Sequence, residues 1–263
     1  MGKQNQILAQ KLKNKELISG TVIAAGSPLI TEMIAQCGYD VLWLDMEHSA
    51  IGIEGLVPNL MAARSGGTPV WVRVPWNDPV RVKPVLDMGA DGIIFPFIRT
   101  LEDAQLAVAS CTYPPEGIRG WGPLRSADYG AISQADYMAK YSRECLRILQ
   151  IEHVDAVRDL RRIASLDGVD CLLVGPNDLS GSIGKLGQMW DDEVVELYRE
   201  IGRVAREIGK PAAICAFNPA YIPQWIEMGF TVFFGGSDCA FVYQGAHKLL
   251  KDFNTYFDPK GSL

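Results

Sequence analysis

The sequence predicts an α/β protein in which eight strand–helix units close into a (β/α)8 barrel, or TIM barrel. Short apolar runs rich in β-branched and aromatic residues recur along the chain, and longer segments with helical periodicity separate them. The eight such runs, and the length of 263 residues, are typical of this fold. An open doubly wound sheet is the alternative, but no GxGxxG motif follows the first strand.

The predicted strands are near-continuous apolar runs, as expected for parallel strands that are covered on both faces. A helix precedes the first strand, and several of the later helical segments end in a glycine, as in "QCGYDVLW" and "EIGKPAAI". Glycine is favoured at such ends because it adopts left-handed backbone without a Cβ penalty. The strands are predicted at 18–24, 41–46, 69–74, 92–97, 146–151, 171–175, 212–217 and 231–236.

No linker or shift in composition marks a second domain, so residues 1–263 are predicted to form a single barrel domain. The longest excursion, 113–144, lies between the fourth and fifth strands and combines a Gly/Pro/Arg-rich loop with an extra helix. The last segment, "CAFVYQGAHKLLKDF", is helical and fairly apolar, which is compatible with exchange of this helix between subunits.

Composition argues against several classes of protein. The net charge is −6 and no block of Lys or Arg occurs, so neither a nucleic acid nor an anionic membrane is an expected partner. The six cysteines are scattered without a CxxC pair, which disfavours a zinc cage or a disulfide framework. The first twenty residues are too polar for a signal peptide, and no run of about 18 apolar residues occurs. A cytoplasmic protein is expected.

Polar residues gather at the predicted carboxyl ends of the strands, whereas the amino ends mostly follow glycines. In a parallel barrel the loops after the strands converge at this end, and active sites lie there. Because polar residues occur at the carboxyl ends of several strands, the sequence predicts that they form one site. The residues are Asp45, Glu47 and His48 after the second strand, Arg73 in the third, Gln150 and Glu152 at the fifth, Asn177 and Asp178 after the sixth, and "GGSD" at the eighth.

These residue types suit enolate chemistry on an oxo acid beside a bound cation. Glu152 and Asp178 supply the carboxylate oxygens that Mg²⁺ prefers, and this ion is often held by only one or two carboxylates. Arg73, between apolar neighbours, needs an anionic partner and could hold a carboxylate or enolate oxygen. His48, oriented by Asp45, is a workable general base near neutral pH.

Each residue also has an ordinary structural interpretation, and none of them defines a site alone. Asp45 and His48 could belong to a turn after the strand. Asp178 follows Gly-Pro-Asn, which is good chemistry for a turn or a helix N-cap. The other two histidines, His153 and His247, are expected to face solvent.

Five segments in a fixed order connect the chain to a known family. They are "WLDMEH", "VRVPWNDP", "YPPEGIRGWG", "LQIE" and "GPNDLS". Together they resemble the class II pyruvate aldolases of the HpcH/HpaI family, which act on heptanedioate-type and sugar-acid substrates. The similarity extends over nearly the whole chain, and it is the ordered set rather than any one segment that is specific.

The resemblance implies a (β/α)8 barrel whose last helix is exchanged between the subunits of a homohexamer. It also implies reversible cleavage of a 4-hydroxy-2-oxo acid into pyruvate and an aldehyde. The implied cofactor is a divalent metal, Mg²⁺, Mn²⁺ or Co²⁺, and no Schiff-base lysine is needed. Small-molecule substrates are the implied partners.

Position by position, the resemblance assigns roles to the candidate catalytic residues. Glu152 and Asp178 match the metal ligands of the family. Arg73 matches the arginine that binds the oxo group of pyruvate and stabilises the enolate. Asp45 and His48 match a dyad that works as a base with a metal-bound water.

The resemblance also assigns the substrate contacts and shows where this chain departs from its family. Gln150 matches a substrate-contacting glutamine, and backbone N–H groups near Gly175 and Asn177 match the site of the pyruvate carboxylate. Asn177 replaces a small residue, and Val22 replaces a tryptophan that lines the acceptor pocket in some members. These departures lie on the acceptor side, so they affect the identity of the aldehyde rather than that of pyruvate.

The loop "GWGPLRSADYG" is bulkier than its counterpart in the dicarboxylate aldolases. Two arginines in this region, Arg119 and Arg125, could reach an anionic acceptor or could simply face solvent.

Two other functions are weighed against a pyruvate aldolase. A lyase acting on citrate-like or malyl thioesters is one, but no evident basic surface for coenzyme A occurs. A barrel kept only for binding or assembly is the other. It would be expected to lose at least one of the five catalytic candidates, and all five are present.

Overall fold

The computed structural model describes residues 3–216 and 218–257. Its eight strands are all parallel, each pairs with the next along the chain, and the eighth pairs with the first to close a barrel. The predicted (β/α)8 architecture is therefore confirmed, and the open sheet is excluded. The strands are β1 Ile18–Ile23, β2 Val41–Asp45, β3 Val70–Arg73, β4 Gly92–Ile98, β5 Leu146–Ile151, β6 Cys171–Val174, β7 Ala212–Cys215 and β8 Val232–Ser237.

The predicted strand positions agree with these bounds to within one or two residues at most ends. The seventh prediction, 212–217, extends to a position that lies outside the described residues, and β7 ends at Cys215. The eighth strand begins and ends one residue later than predicted, at Val232 and Ser237.

Helices cover the outside of the barrel, and one lies across its amino-terminal end. Three short helical turns, Arg125–Gly130, Tyr137–Tyr141 and Pro219–Tyr221, add to them. The helices are α1 Lys3–Lys13, α2 Pro28–Ala35, α3 Ile53–Ser65, α4 Pro79–Asp87, α5 Leu101–Cys111, α6 Gln134–Asp136, α7 Val154–Arg158, α8 Leu160–Ala164, α9 Pro176–Gly181, α10 Asp192–Ile208, α11 Ile222–Met228 and α12 Asp238–Phe257.

Local sequence sets several helix ends. The Asp78 side chain accepts a hydrogen bond from the backbone N–H of Val80, which caps α4 just before its first-position proline. Thr100 and Asp103 form a reciprocal capping box at the start of α5. Gly209 ends α10 with a φ of 77°, left-handed backbone that a residue with a Cβ rarely adopts.

The core has two layers. The larger one lies between the strands and the surrounding helices, and the smaller one fills the inside of the barrel. In the inner layer the Phe234 ring contacts Trp43 edge-on at 5.3 Å and Trp71 at 5.7 Å between ring centres. Leu8 and Leu12 of α1 join this layer, so the N-terminal helix covers the amino-terminal end of the barrel. The barrel interior is therefore a packed core and not a pore.

The long excursion follows α5 and therefore lies at the amino-terminal end, because it leads back to the start of β5. It contains short helical turns rather than one extra helix, since three positions in Arg125–Gly130 break helical geometry. Arg119 and Arg125 are only 4% and 7% exposed and contact Asp87 and Met88 at the end of α4. Neither faces solvent, and within this chain neither can reach a site at the carboxyl end, so both interpretations of these arginines are wrong.

The last helix, α12, contacts β1, β8 and α2 but buries little of its own surface. Asp238, its first residue, is the only buried one. A groove of about 600 Å³, lined by Leu17, Ile222 and Phe233 among others, stays open along β1 and β8 beside the start of this helix. In the described part of the chain, no helix is both long and apolar enough to cross a membrane. The exposed large apolar residues of α12 are Phe241, Val242, Tyr243, Leu249, Leu250, Phe253, Tyr256 and Phe257.

Candidate active site

The predicted site residues lie at the carboxyl ends of neighbouring strands. Asp45 ends β2 and Arg73 ends β3, and the strand register places these two residues side by side. Gln150 lies in β5, Glu152 follows that strand directly, and Gly175 follows β6. Because every strand is parallel, all these ends face the same mouth of the barrel.

Arg73 is the centre of a buried ion-pair network. Its Nε donates to Asp45 Oδ1 at 2.8 Å and its Nη2 to Asp45 Oδ2 at 2.6 Å, and its Nη1 lies 3.0 Å from Glu47 Oε2. The guanidinium carbon lies 4.6 Å from the centre of the Trp43 ring, in cation–π contact. Burial opposes the charge, but the hydrogen bonds from Arg73 to Asp45 and the charges of Asp45 and Glu47 raise the pKa of Arg73 above its usual value. The guanidinium is therefore a fixed positive charge.

Glu152 is a buried carboxylate, 3% exposed, whose two oxygens each accept a hydrogen bond. The backbone N–H of Phe97 donates to Oε1 at 2.7 Å, and Gln150 Nε2 donates to Oε2 at 2.6 Å. Burial raises the pKa of Glu152 to about 7 against the opposing Phe97 hydrogen bond, and the charge of Asp178 raises it further. An anion held this deep, with no cation bonded to it in the described structure, is costly unless one binds there.

Sequence reasoning missed Phe97. Its φ of 56° is left-handed backbone, which is uncommon for a residue with a bulky side chain and costs about 1–3 kcal/mol. This conformation accompanies the hydrogen bond from its N–H to Glu152. The Phe97 ring stacks on Trp76 with 6.0 Å between ring centres and lies 6.2 Å from the ring of His153. The local sequence "GIIFPF" predicts neither the hydrogen bond to Glu152 nor the contacts of the Phe97 ring.

Gly175 is required by close packing. A Cβ at this position would lie 2.4 Å from Glu152 Oε2 and 2.9 Å from Gln150 Nε2. Any side chain here would therefore displace the buried Glu152–Gln150 pair. Gly175 also precedes α9, whose first turn carries Asn177 and Asp178 with both residues exposed.

Gln150 leaves one polar atom for a ligand. Its side chain is buried, and its Oε1 has no hydrogen-bond partner. Because buried polar atoms are normally paired, this oxygen is placed to accept a hydrogen bond from a bound molecule at the mouth of the barrel.

His48 lies differently from the expected dyad. Asp45 Oδ1 accepts the backbone N–H groups of Glu47 and His48 at 3.0 and 3.4 Å, while both Asp45 oxygens bind Arg73. The described contacts include none between Asp45 and the His48 ring. Instead, His48 Nε2 lies 3.8 Å from Glu47 Oε2, and its side chain is 68% exposed. Glu47, which the sequence left without a role, is the acid beside this histidine.

Three other predictions can be compared with the structure. Val22, the expected acceptor-side position, is half-buried in β1. His153 is not an ordinary solvent-facing residue, because its Nδ1 accepts the backbone N–H of Asp155 and caps α7. The aspartate of "GGSD", Asp238, is completely buried and accepts the N–H groups of Ala24 and Ala25, so its role is structural.

The acids at the mouth fit a hard divalent cation. The described residues contain no group of three or more His, Cys, Asp or Glu side chains arranged around a metal position. However, the charge of Asp178 raises the pKa of both Glu152 and Glu47, the direction expected for carboxylates on the same side of the barrel. Arg73 is already engaged by Asp45 and Glu47. Two carboxylates, completed by water and substrate oxygens, match the way Mg²⁺ is usually held.

A parallel barrel with a buried guanidinium and a set of carboxylates at its carboxyl end defines an enzyme that handles a small anionic substrate. The chain belongs to the HpcH/HpaI aldolase/citrate lyase family, which matches residues 19–239. The aldolase and carbon–carbon lyase predicted from the sequence are thereby confirmed.

Individual relatives agree with this family. The chain is 37% identical over 242 residues to a 5-keto-4-deoxy-D-glucarate aldolase of Shigella boydii, covering 92% of this chain and 93% of that protein. A solved HpcH/HpaI aldolase/citrate lyase family protein from Burkholderia cenocepacia superposes with a TM-score of 0.88 at 31% identity, over 94% and 99% of the two chains. A solved citrate synthase superposes with a TM-score of 0.85 at 30% identity, covering 95% of this chain and 98% of that one.

Proposed function

We propose that this aldolase works on pyruvate beside a divalent metal ion, joining the pyruvate enolate to an aldehyde and cleaving the resulting 4-hydroxy-2-oxo acid. The observation that carries the proposal is the buried Arg73 at the same mouth as Glu152 and Asp178. A fixed cation next to a set of uncompensated carboxylates suits a substrate that becomes an enolate and binds together with a metal.

Glu152 and Asp178 are the residues that would hold the metal, which we take to be Mg²⁺, Mn²⁺ or Co²⁺. When bound, such an ion acts as a Lewis acid that polarises the oxo group and lowers the energy of the developing enolate. Phe97 and Gln150 fix the Glu152 carboxylate through one hydrogen bond to each oxygen. Because the Glu152 carboxylate is already held in one orientation, it would lose little conformational freedom on binding the metal ion.

Arg73 supports the enolate from the protein side. Three of its five N–H donors contact Asp45 and Glu47, which leaves two for a substrate oxygen. Asp45 holds the guanidinium by two parallel bonds, so the charge is placed before the substrate arrives. Preorganised donors of this kind typically contribute about 10²–10³ in turnover.

His48 is the proposed proton carrier. Its ring is exposed, and the proton leaving the pyruvate methyl group would go to His48 Nε2, with Glu47 stabilising the imidazolium from 3.8 Å. Asp45 contributes by accepting the backbone N–H groups that shape the loop carrying both residues. Asp45 and His48 therefore still act in the same step, but Glu47 rather than Asp45 is the acid that stabilises the charged His48 ring.

The remaining substrate contacts involve Gly175, Asn177 and Gln150. Backbone N–H groups at the start of α9 would hold the pyruvate carboxylate, and the unpaired Gln150 Oε1 would accept a hydrogen bond from a bound hydroxyl or water. By similarity to the sugar-acid aldolase relative, the acceptor is proposed to be a hydroxylated, carboxylate-bearing aldehyde.

The test is exchange of pyruvate methyl protons with deuterated water, followed by NMR, with the metal-loaded enzyme. Exchange and aldol product with a panel of aldehydes are expected, and both are expected to stop when a chelator removes the metal. Product formed at the same rate in the presence of the chelator would contradict the metal assignment.

A second candidate follows from the citrate synthase relative. In this alternative the site handles citrate-like substrates or malyl thioesters. Assaying 2-oxo acids and thioesters side by side separates the two, because the favoured function predicts turnover with the oxo acid alone.

We further propose that α12 is exchanged between subunits of a homohexamer in the cytoplasm. The helix buries only its first residue, exposes a row of large apolar side chains, and lies beside an open groove of about 600 Å³ along β1 and β8. A helix of this length is stable in water only when its apolar face packs against a partner. We take this groove, which lies where the eighth helix of a closed barrel usually packs, as the proposed binding place of α12 from a second subunit.

A further inference from the structure

A second cavity lies at the amino-terminal end of the barrel, opposite the active site. It has a volume of about 280 Å³, near the lower end of the roughly 300–1,000 Å³ that is typical of small-molecule sites. Apolar side chains, including Leu60, Leu86 and Ile132, line part of its wall. Arg119 and Arg125 line another part, so the cavity combines an apolar body with guanidinium groups.

Arg125 is a buried cation without a direct ion pair in the described residues. It is 7% exposed, its Nη1 donates to the carbonyl oxygen of Met88 at 2.8 Å, and it forms no ion pair with any acid in the described residues. Burial and then the charge of Arg64 lower the pKa of Arg125, while the charges of Asp91 and Asp128 act on it from beyond ion-pair distance and oppose this shift. Because buried charges are normally paired at short range, this guanidinium keeps donors that an anion in the cavity can use.

None of the neighbouring acids in the described residues forms a direct ion pair with Arg125. Asp87 binds Arg119 Nη2 at 2.9 Å, and Asp128 lies 3.9 Å from the exposed Arg64. Asp91 accepts the backbone N–H of Val70 at 3.0 Å and forms no ion pair within the part of the chain that is described.

Arg119 adds a second donor to the wall. It is 4% exposed, and its Nε has no hydrogen-bond partner although it is fully buried. The guanidinium lies 4.5 Å from the centre of the Tyr113 ring, which fixes its plane. Two arginines with unused donors therefore belong to one cavity.

We infer that this cavity binds a small organic acid, with its carboxylate on Arg125 and its apolar part against Leu60, Leu86 and Ile132. A guanidinium matches a carboxylate by two parallel hydrogen bonds, and an apolar wall favours an organic anion over a bare inorganic ion. The site is separate from the active-site mouth, since its wall is formed by the segments that precede β3, β4 and β5.

The experiment titrates the intact protein with butyrate at constant ionic strength and follows thermal unfolding and binding heat. Butyramide, of the same shape without charge, is the ligand control, and inorganic phosphate is the bare-anion control. The variants are Arg125→Met and, as a matched control, Arg206→Met. Arg206 also donates Nη1 to one carbonyl oxygen and has no ion pair among the described residues, but it is exposed.

Butyrate is expected to raise the Tm of the wild type and of Arg206→Met by the same amount. In Arg125→Met its affinity is expected to fall about 10-fold or more, the loss typical of a charge-assisted hydrogen bond. Butyramide should not distinguish the variants. Any butyrate that binds at the active site contributes equally to the wild type and to both variants, because neither arginine lies at the active-site end of the barrel. Equal butyrate effects in wild type and Arg125→Met, or a larger differential effect of phosphate than of butyrate, would overturn the inference.

Discussion

Replacing Arg73 with methionine removes the positive charge from the middle of the active-site network. The side chains of Arg73 and Asp45 are only 10% and 5% exposed, and two short hydrogen bonds join them. Without the guanidinium, Asp45 keeps the N–H groups of Glu47 and His48 but loses its ion-pair partner. A buried pair that loses one partner typically costs about 3–5 kcal/mol of unfolding free energy.

The same change removes the group proposed to stabilise the enolate. Turnover is expected to fall about 10²–10³-fold. Sequence reasoning alone predicts that a substitution at Arg73 removes activity and leaves the fold intact. The structure adds a large loss of stability, because the arginine also neutralises Asp45.

The double variant Arg73→Met/Asp45→Asn separates these two effects. It removes both charges, so a large part of the lost stability is expected to return, while methyl-proton exchange should stay low. Urea unfolding of the single and double variants gives the coupling energy, with Arg206→Met as an exposed control. An unfolding cost for Arg73→Met no larger than that of Arg206→Met would refute the buried-pair reasoning. Near-normal proton exchange in either Arg73 variant would refute the catalytic role.

Three further predictions follow from other contacts. Gly175→Ala should overpack Glu152 and Gln150, cost about 1–3 kcal/mol of stability and weaken metal binding, which calorimetry with Mn²⁺ measures; unchanged metal affinity would contradict the packing argument. Phe253→Asp on the apolar row of α12 should dissociate the proposed homohexamer in sedimentation experiments, and an unchanged mass would exclude the helix from the proposed subunit interface. Lys11 and a backbone N–H lower the pKa of Asp40 although burial opposes them, so this group stabilises the protein above its unfolded pKa of about 3.9. That contribution is lost as pH falls through the lowered folded pKa, and Asp40→Asn should show a smaller drop in Tm between neutral and acidic pH.

The barrel could be predicted because each strand is a short apolar run between glycine-ended helical segments. The position of the site could also be predicted, since Asp45, Arg73 and Glu152 stand where their strands end. Chain order and a parallel sheet place those ends together without knowledge of any side-chain contact.

The partners inside the site could not be predicted. Spacing alone favours Asp45 beside His48, but in the structure the strand register places Asp45 beside Arg73 and leaves Glu47 near the histidine. Phe97 adopts left-handed backbone because of the tertiary contacts around Glu152, which no local pattern encodes. Arg119 and Arg125 lie in an excursion without periodicity, so their burial depends on how that segment folds back on α4.

A crystal structure with Mn²⁺ and pyruvate tests the central claim most directly, because anomalous scattering locates the ion. The account predicts one peak bonded to both Glu152 and Asp178, at about 2.0–2.2 Å from their oxygens, with the oxo group of pyruvate facing Arg73. A metal peak away from either carboxylate, or pyruvate bound out of reach of Arg73, would contradict it.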